Sequence, residues 1–103
     1  MAHEVFAYGE FEKEPVLRRL LGRLPRSLPA KLRGHRKFHD DLLGYYNLVV
    51  DENAIVDGHL LLGITDDELI ALDRFEAALY RRQAVTVETR TGPHEAWVYT
   101  GKA

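Results

Sequence analysis

The sequence predicts a mixed α+β domain with about five or six strands and two helices. Two observations support this class. Short apolar runs with the alternation and β-branched content of strands recur along the chain, and two segments carry apolar residues at helical spacing. A chain of 103 residues suits one domain with a modest core, so we expect residues 1–103 to form a single domain.

The composition excludes several classes of protein. A hydrophobic fraction of 46% and a charged fraction of 29% are typical of a soluble globular chain. No segment approaches the roughly 20 apolar residues that span a bilayer. The chain has no cysteine, which excludes disulfides and thiolate nucleophiles. The N-terminus lacks the pattern of a signal peptide, so we expect a cytoplasmic protein without a membrane partner.

The first half of the chain contains strand and helix patterns in alternation. Residues 4–8 (EVFAY) are predicted to form a strand that stops at Gly9. Residues 15–24 (PVLRRLLGRL) are predicted to form a helix, because apolar residues recur there every three or four positions. Residues 30–38 are predicted to form a strand interrupted near Gly34.

The middle of the chain is predicted to contain a loop and then a buried strand. Residues 40–53 are predicted to form a loop with a short extended piece at 47–50. Residues 55–64 are predicted to form a strand. This segment is nearly continuously apolar after Gly58, which indicates burial on both faces.

The second helix has the clearest start signal in the sequence. Thr65 is followed three residues later by Glu68, the capping-box pattern, and the first turn is acidic. We expect this helix to end near residues 77–79. After it, residues 83–89 and 95–100 are predicted to form a hairpin around a turn.

Glu76 occupies a position in this second helix where an apolar residue is expected. It shares a face with Leu69, Leu72 and Asp73 at helical spacing. Apolar surroundings disfavour the charged carboxylate, which raises its pKa and suits a group that exchanges protons near neutrality. The alternative is that the helix frays before Glu76 and the side chain reaches water.

The segment from Arg18 to Lys37 has eight basic residues and no acidic one. Such a segment is typical of a nucleic-acid footprint or of a solvated surface balanced by acids elsewhere in the fold. The net charge of −2 and the absence of an RNA-binding aromatic motif favour the second interpretation. We therefore expect no nucleic-acid partner.

Other chemistry-bearing residues give weaker signals. His35 and His39 lie four residues apart, but their spacing supplies no third metal ligand. Ser27 has no nucleophile elbow around it. We therefore expect neither a metal site nor a serine nucleophile.

Taken together and in order, the motifs resemble the γ-glutamylcyclotransferase-like superfamily, particularly its AIG2-like and γ-glutamylamine cyclotransferase branch. The resemblance covers nearly the whole chain. Its most specific part is Leu72-Asp73-x-Phe75-Glu76, followed by Tyr80-x-Arg82. Tyr8-Gly9 near the N-terminus is the second motif that supports the resemblance. The resemblance implies a small mixed β-barrel flanked by helices, with a cavity at one end.

The resemblance also implies a reaction that needs no cofactor or metal. Family enzymes release 5-oxoproline from small γ-glutamyl compounds when the substrate's α-amine attacks its own γ-carbonyl. Glu76 matches the catalytic glutamate, which would act as general base and then general acid. The substrate-binding residues implied by the resemblance are Tyr8, Gly9, Glu10, Phe11 and Tyr80.

This chain departs from the family pattern at one place. Where family enzymes commonly have Tyr-Gly-Ser/Thr-Leu, it has Glu10 and Phe11. The Glu10 carboxylate would repel a substrate carboxylate or pair with an ammonium group, depending on whether it faces the cavity or solvent. The alternative to an enzyme is a non-catalytic module of the same fold that binds a small molecule or a protein.

Overall fold

In this computed structural model, which describes residues 2–42 and 44–101, five strands close into a barrel in the order β1-β3-β2-β4-β5. β1 and β5 pair in parallel, and the other neighbours are antiparallel. The elements are β1 His3–Ala7, a 3₁₀ turn Glu10–Glu12, α1 Glu14–Leu21, β2 Ser27–Asp40, β3 Tyr45–Ile64, α2 Asp66–Glu76, β4 Tyr80–Thr89 and β5 Gly92–Gly101. The predicted small mixed barrel with flanking helices is confirmed.

The predicted loop over residues 40–53 is largely wrong, although residue 43 lies outside the described residues. β3 begins at Tyr45 and forms a long hairpin with β2. Acidic and amide side chains at 51–53 are poor strand formers, which is why the sequence pattern suggested a loop. Pairing with β2 on both sides of this polar segment keeps it in the sheet.

The predicted interruption near Gly34 is confirmed as an irregularity of this hairpin. The register moves from Arg33 opposite Ile55 to His35 opposite Val50. Four residues of β3, 51–54, therefore lie opposite one residue of β2. Gly34 has a φ of +78°, a conformation that suits glycine at such a bulge.

Two apolar clusters form the core because β1 is covered on both faces. Phe6 and Tyr8 belong to the cluster inside the barrel, whereas Val5 and Ala7 belong to the cluster between the barrel and the helices. The C-terminal part of β3 is covered in the same way. Its residues 60 and 61 belong to opposite clusters, which confirms the predicted two-faced burial.

Both helices have defined ends. α1 stops at Leu21, earlier than predicted, because Gly22 adopts the left-handed conformation with φ +72° and donates to the Arg18 carbonyl. α2 begins with the predicted capping box: Glu68 N–H donates to Thr65 Oγ1 at 3.1 Å, and Thr65 N–H donates to the Glu68 carboxylate at 3.0 Å. None of the described helices is long and apolar enough to cross a bilayer.

Most of the eight basic side chains from Arg18 to Lys37 are paired with acids at the surface. Five of them form ion pairs with acids at 2.6–3.6 Å. These pairs are Arg18 with Glu14, Arg23 with Glu68, Lys31 with Asp57, Arg33 with Glu88 and Arg36 with Asp51. The arrangement agrees with a solvated surface whose charges are balanced by the rest of the fold.

Gly58 lies where β1 crosses closely over β3, which yields a stability prediction. A Cβ at Gly58 would lie 2.3 Å from the Ala7 carbonyl oxygen and 2.8 Å from the Phe6 ring. We expect Gly58→Ala to lower the free energy of unfolding by about 2 kcal/mol or more, since backbone has to move. Chemical denaturation measures this. Asp57→Ala, which removes only an exposed ion pair with Lys31, is the control and should cost under about 1 kcal/mol. Equal losses would contradict the predicted steric conflict.

Candidate active site

A cavity of about 350 Å³ opens where β1 ends and β3 and β4 begin. This volume lies within the range of small-molecule sites. The structure brings all six residues of the predicted site to its wall: Tyr8, Gly9, Glu10, Phe11, Glu76 and Tyr80. Their roles in binding or catalysis remain predictions.

Glu76 is the last residue of α2, and its half-buried side chain lines this cavity. Burial raises the pKa of Glu76 to about 7, and the negative charge of Glu10 acts in the same direction. The negative end of the helix dipole also disfavours a carboxylate at this position. Within the described part of the chain, the carboxylate has no ion pair to offset these effects. Because α2 continues to Glu76 and the side chain is half-buried, the alternative that the helix frays before Glu76 and exposes its side chain to water is wrong.

Two tyrosine hydroxyls in the cavity wall are held by main-chain carbonyls. Tyr8 Oη donates to the Tyr99 carbonyl and Tyr80 Oη donates to the Tyr46 carbonyl, both at 2.5 Å. Burial raises the pKa of Tyr80 to about 12 and raises that of Tyr8 still further above its ordinary value. Both phenols are therefore neutral at physiological pH. Because their protons are committed, their oxygens offer acceptors to a ligand.

Glu10 lines the cavity, and its carboxylate forms an ion pair at the cavity wall. Lys13 Nζ donates to Glu10 Oε1 at 2.7 Å across the 3₁₀ turn. Lys13 lines the cavity too, and its side chain remains 60% exposed. The carboxylate that replaces a small hydroxyl residue is thus accompanied by a cation from the same turn.

Phe11 is chiefly a core residue. It is 4% exposed. Its ring packs edge-on against Tyr99 at 5.5 Å between centroids, and it packs against the tilted Phe75 ring at 5.8 Å. Phe11 therefore joins the 3₁₀ turn to α2 and β5 beneath the cavity.

Three residues that position the site, Asp73, Arg82 and Tyr99, were not assigned a role in the site from the sequence. Tyr99 Oη donates to Asp73 Oδ1 at 2.7 Å, and Arg82 Nε lies 3.2 Å from the same oxygen. The Arg82 guanidinium in turn lies 4.2 Å from the centroid of the Trp97 ring. Asp73 shares the inward face with Glu76, which is the sequence signal that could have identified it. The contact fixes α2 against β4 and β5.

The two histidines considered as metal ligands have different partners, although His39 lines the cavity. His39 Nδ1 lies 3.0 Å from the Asp41 carboxylate, and His35 Nδ1 lies 3.0 Å from the Arg33 carbonyl oxygen. Residues 2–42 and 44–101 contain no group of three or more His, Cys, Asp or Glu side chains that could hold a metal ion.

The barrel and its cavity define the fold class of the γ-glutamyl cyclotransferases, and the sequence agrees. Residues 5–103 match the family described as gamma-glutamyl cyclotransferase, AIG2-like. The chain belongs to this family.

Two relatives show the extent of the similarity. One is a protein of Methanocaldococcus jannaschii described as a gamma-glutamylcyclotransferase and a candidate RNase, 35% identical over 97% of this chain and 46% of its own length. The other is AIG2-like protein D of Arabidopsis thaliana, 39% identical over 82% of this chain and 56% of its own length. The chain thus spans about half the length of these relatives.

Solved structures show the same architecture. A solution structure of an Arabidopsis thaliana protein has a TM-score of 0.89 and 31% identity over 97% of this chain and 68% of its own. A structure described as a gamma-glutamyl cyclotransferase has a TM-score of 0.84 and 16% identity over 99% of this chain and 68% of its own. At that identity the second likeness concerns the fold alone.

The position of Glu76 predicts a pH-dependent stability effect. Because its folded pKa of about 7 exceeds the unfolded value, its contribution is fully favourable below the unfolded pKa and is lost as the pH rises through about 7. Glu76→Gln should therefore stabilise the protein at pH 8.5 by about 1–2 kcal/mol, allowing for solvent screening, and change little at pH 4. Thermal unfolding at both pH values measures this. A stabilisation that does not depend on pH would contradict the assignment.

The Asp73 contact predicts a second stability effect. Asp73→Ala leaves the Tyr99 hydroxyl and the Arg82 guanidinium without this acceptor, and we expect a loss of about 1–3 kcal/mol. Asp67→Ala, an exposed acid in the first turn of the same helix, is the matched control and should cost less. Urea denaturation compares the two, and equal losses would argue against a structural role for Asp73.

Proposed function

We propose that this protein is a cofactor-independent γ-glutamylcyclotransferase that releases 5-oxoproline from a γ-glutamyl amine or peptide. The observation that carries the proposal is the half-buried Glu76 carboxylate, whose pKa is raised to about 7 inside a cavity of small-molecule size. A group with this pKa can accept and return a proton at neutral pH, because neither protonation state is strongly favoured over the other.

The reaction needs one group that handles two proton transfers in sequence. Glu76 takes a proton from the substrate's α-ammonium, and the freed amine attacks the γ-carbonyl carbon to form the ring C–N bond. The resulting oxyanion then expels the leaving amine as the original C–N bond breaks. Glu76 returns its proton to that nitrogen, so the carboxylate is regenerated. The ring nitrogen still carries two protons after the attack and loses one to solvent, so the products are the neutral lactam and the released amine. The attack is intramolecular, and holding the substrate folded supplies much of the acceleration.

The remaining groups of the cavity suit the two ends of this substrate. The oxygens of Tyr8 and Tyr80 are acceptors and would orient the α-ammonium beside Glu76. The segment from Gly9 to Phe11 opens the 3₁₀ turn, and the first N–H groups of such a turn have no partner within it. These N–H groups would hold the γ-glutamyl part and stabilise the oxyanion.

Family membership supports this proposal at the level of reaction class. The archaeal relative is described as a gamma-glutamylcyclotransferase, and the match to the family includes the segment that carries Glu76. Since the site and not the fold determines activity, the test has to be made on this chain.

The first experiment measures 5-oxoproline release from a panel of γ-glutamyl dipeptides and γ-glutamyl amines. We expect wild-type turnover and a loss of at least about 100-fold in kcat for Glu76→Gln, since the amide cannot take the proton. Glu12→Gln is the control, because Glu12 lies in the same 3₁₀ turn as Glu10 but pairs with His59 outside the cavity. Ligand binding without turnover in the wild type would favour the non-catalytic binding module.

The pH profile tests the role of Glu76 separately. We expect kcat/KM to rise through about pH 7 as Glu76 loses its proton. Glu10→Gln removes a negative charge that raises the pKa of Glu76, so the acidic limb should move to lower pH. Glu12→Gln should leave the limb in place. A limb that does not move in Glu10→Gln would assign the titration to another group.

A further inference from the structure

The entrance of the cavity carries three exposed aromatic side chains that the proposed chemistry does not use. We call Tyr45, Tyr46 and Phe75 the aromatic rim. All three line the cavity, and they are 41%, 45% and 41% exposed, respectively. Among the described residues, eight large apolar side chains are exposed by 40% or more, and three of the eight meet at this entrance. Such a concentration indicates a surface that a ligand covers.

The rim packs on neighbouring aromatic rings and adjoins the proposed proton-transfer group. Phe75 immediately precedes Glu76 and packs on the buried Phe11 ring at 5.8 Å between centroids. Tyr45 packs edge-on against Tyr80 at 6.4 Å, and the Tyr80 hydroxyl is anchored on a main-chain carbonyl. An apolar group bound here would therefore meet rings that already pack on neighbouring rings, which limits the entropy lost on binding.

The rim has unlike charges at its two sides: Lys37 lies over the Tyr46 ring, whereas the carboxylates of Glu76 and Asp40 act on Tyr80, which packs on Tyr45. Lys37 Nζ lies 4.7 Å from the centroid of the Tyr46 ring and donates to the Tyr8 carbonyl, so a cation already lies over that ring. Lys13 adds a second ammonium group in the cavity wall. The carboxylate at this turn, Glu10, is already paired with Lys13 at 2.7 Å. A positively charged ligand group that lay over the Tyr46 ring would meet like charge.

We propose that the aromatic rim is the leaving-group subsite and that it selects γ-glutamyl amides whose leaving amine carries an apolar, planar group without positive charge. This inference rests on the proposed function. Glu76 must reach the leaving nitrogen to return its proton, so the nitrogen lies beside Glu76. The substituent beyond that nitrogen then extends past Phe75 towards the entrance, where the rim lies.

Three synthetic substrates test the subsite: γ-glutamyl methylamide, γ-glutamyl benzylamide and γ-glutamyl 4-(aminomethyl)benzylamide. The second adds a ring to the first, and the third adds an ammonium group to the ring. For the wild type we expect kcat/KM to be at least about tenfold higher for the benzylamide than for the methylamide, because the ring is buried on the rim. The ammonium group should remove most of this advantage.

Three variants and one matched control locate the effect. Phe75→Ala should bring the benzylamide-to-methylamide ratio to within about twofold. Ile70→Ala truncates another exposed apolar residue of α2, outside the cavity, and should keep the wild-type ratio. Lys13→Gln should narrow the difference between the benzylamide and its ammonium analogue. Tyr45→Ser, in a different element, repeats the ratio test if Phe75→Ala does not fold.

The outcomes separate this inference from the proposed function. Release of 5-oxoproline with equal kcat/KM for the methylamide and benzylamide, or with the ammonium analogue preferred, would overturn the subsite and leave the function standing. If neither the three amides nor the wider panel of γ-glutamyl compounds releases 5-oxoproline, the proposed function fails, and calorimetric binding of the amides then decides the subsite. Tighter benzylamide binding that Phe75→Ala abolishes would support it, and equal binding of the two amides would overturn it.

Discussion

The ion pair and hydrogen bond at Asp73 set the position of α2, and the geometry of the cavity depends on that position. Asp73 accepts from Tyr99 of β5 and pairs with Arg82 of β4. Leu69 and Leu72 of the same helix are buried against the barrel. Because Glu76 follows Asp73 by three residues on the same helical face, these contacts aim its carboxylate into the cavity. The motif of Asp73, Glu76 and Arg82 thus combines a structural contact with a chemical group.

Glu76 illustrates how a site can cost stability. Burial, the charge of Glu10 and the negative end of α2 all disfavour its ionised form. Burial and the charge of Glu10 bring its pKa to about 7, where a carboxylate can both accept and donate a proton. The environment that destabilises the Glu76 carboxylate is thus the same environment that suits it to proton transfer near neutral pH. Such a combination is common at functional sites.

The ion pair between Glu10 and Lys13 shows why family membership leaves the substrate open. Glu10 alone would place a second negative charge beside Glu76, but Lys13 from the same turn balances it at 2.7 Å. The entrance therefore carries a local charge pair next to exposed aromatic rings. A fold provides the cavity, whereas residues such as these at its entrance determine what the cavity accepts.

The sequence by itself determined the features that depend on neighbouring residues and periodicity. The capping box of Thr65 and Glu68, the inward face that includes Glu76, the break near Gly34 and the C-terminal hairpin all follow from local patterns, and the order of motifs indicated the barrel. Only the tertiary structure decided the continuation of β3 through the polar segment 51–54, because pairing with β2 on both sides of the segment overrides its local propensity. It also decided the burial of Glu76 and the contacts of Asp73, since these depend on side chains that lie far apart in the chain and meet only when the barrel closes.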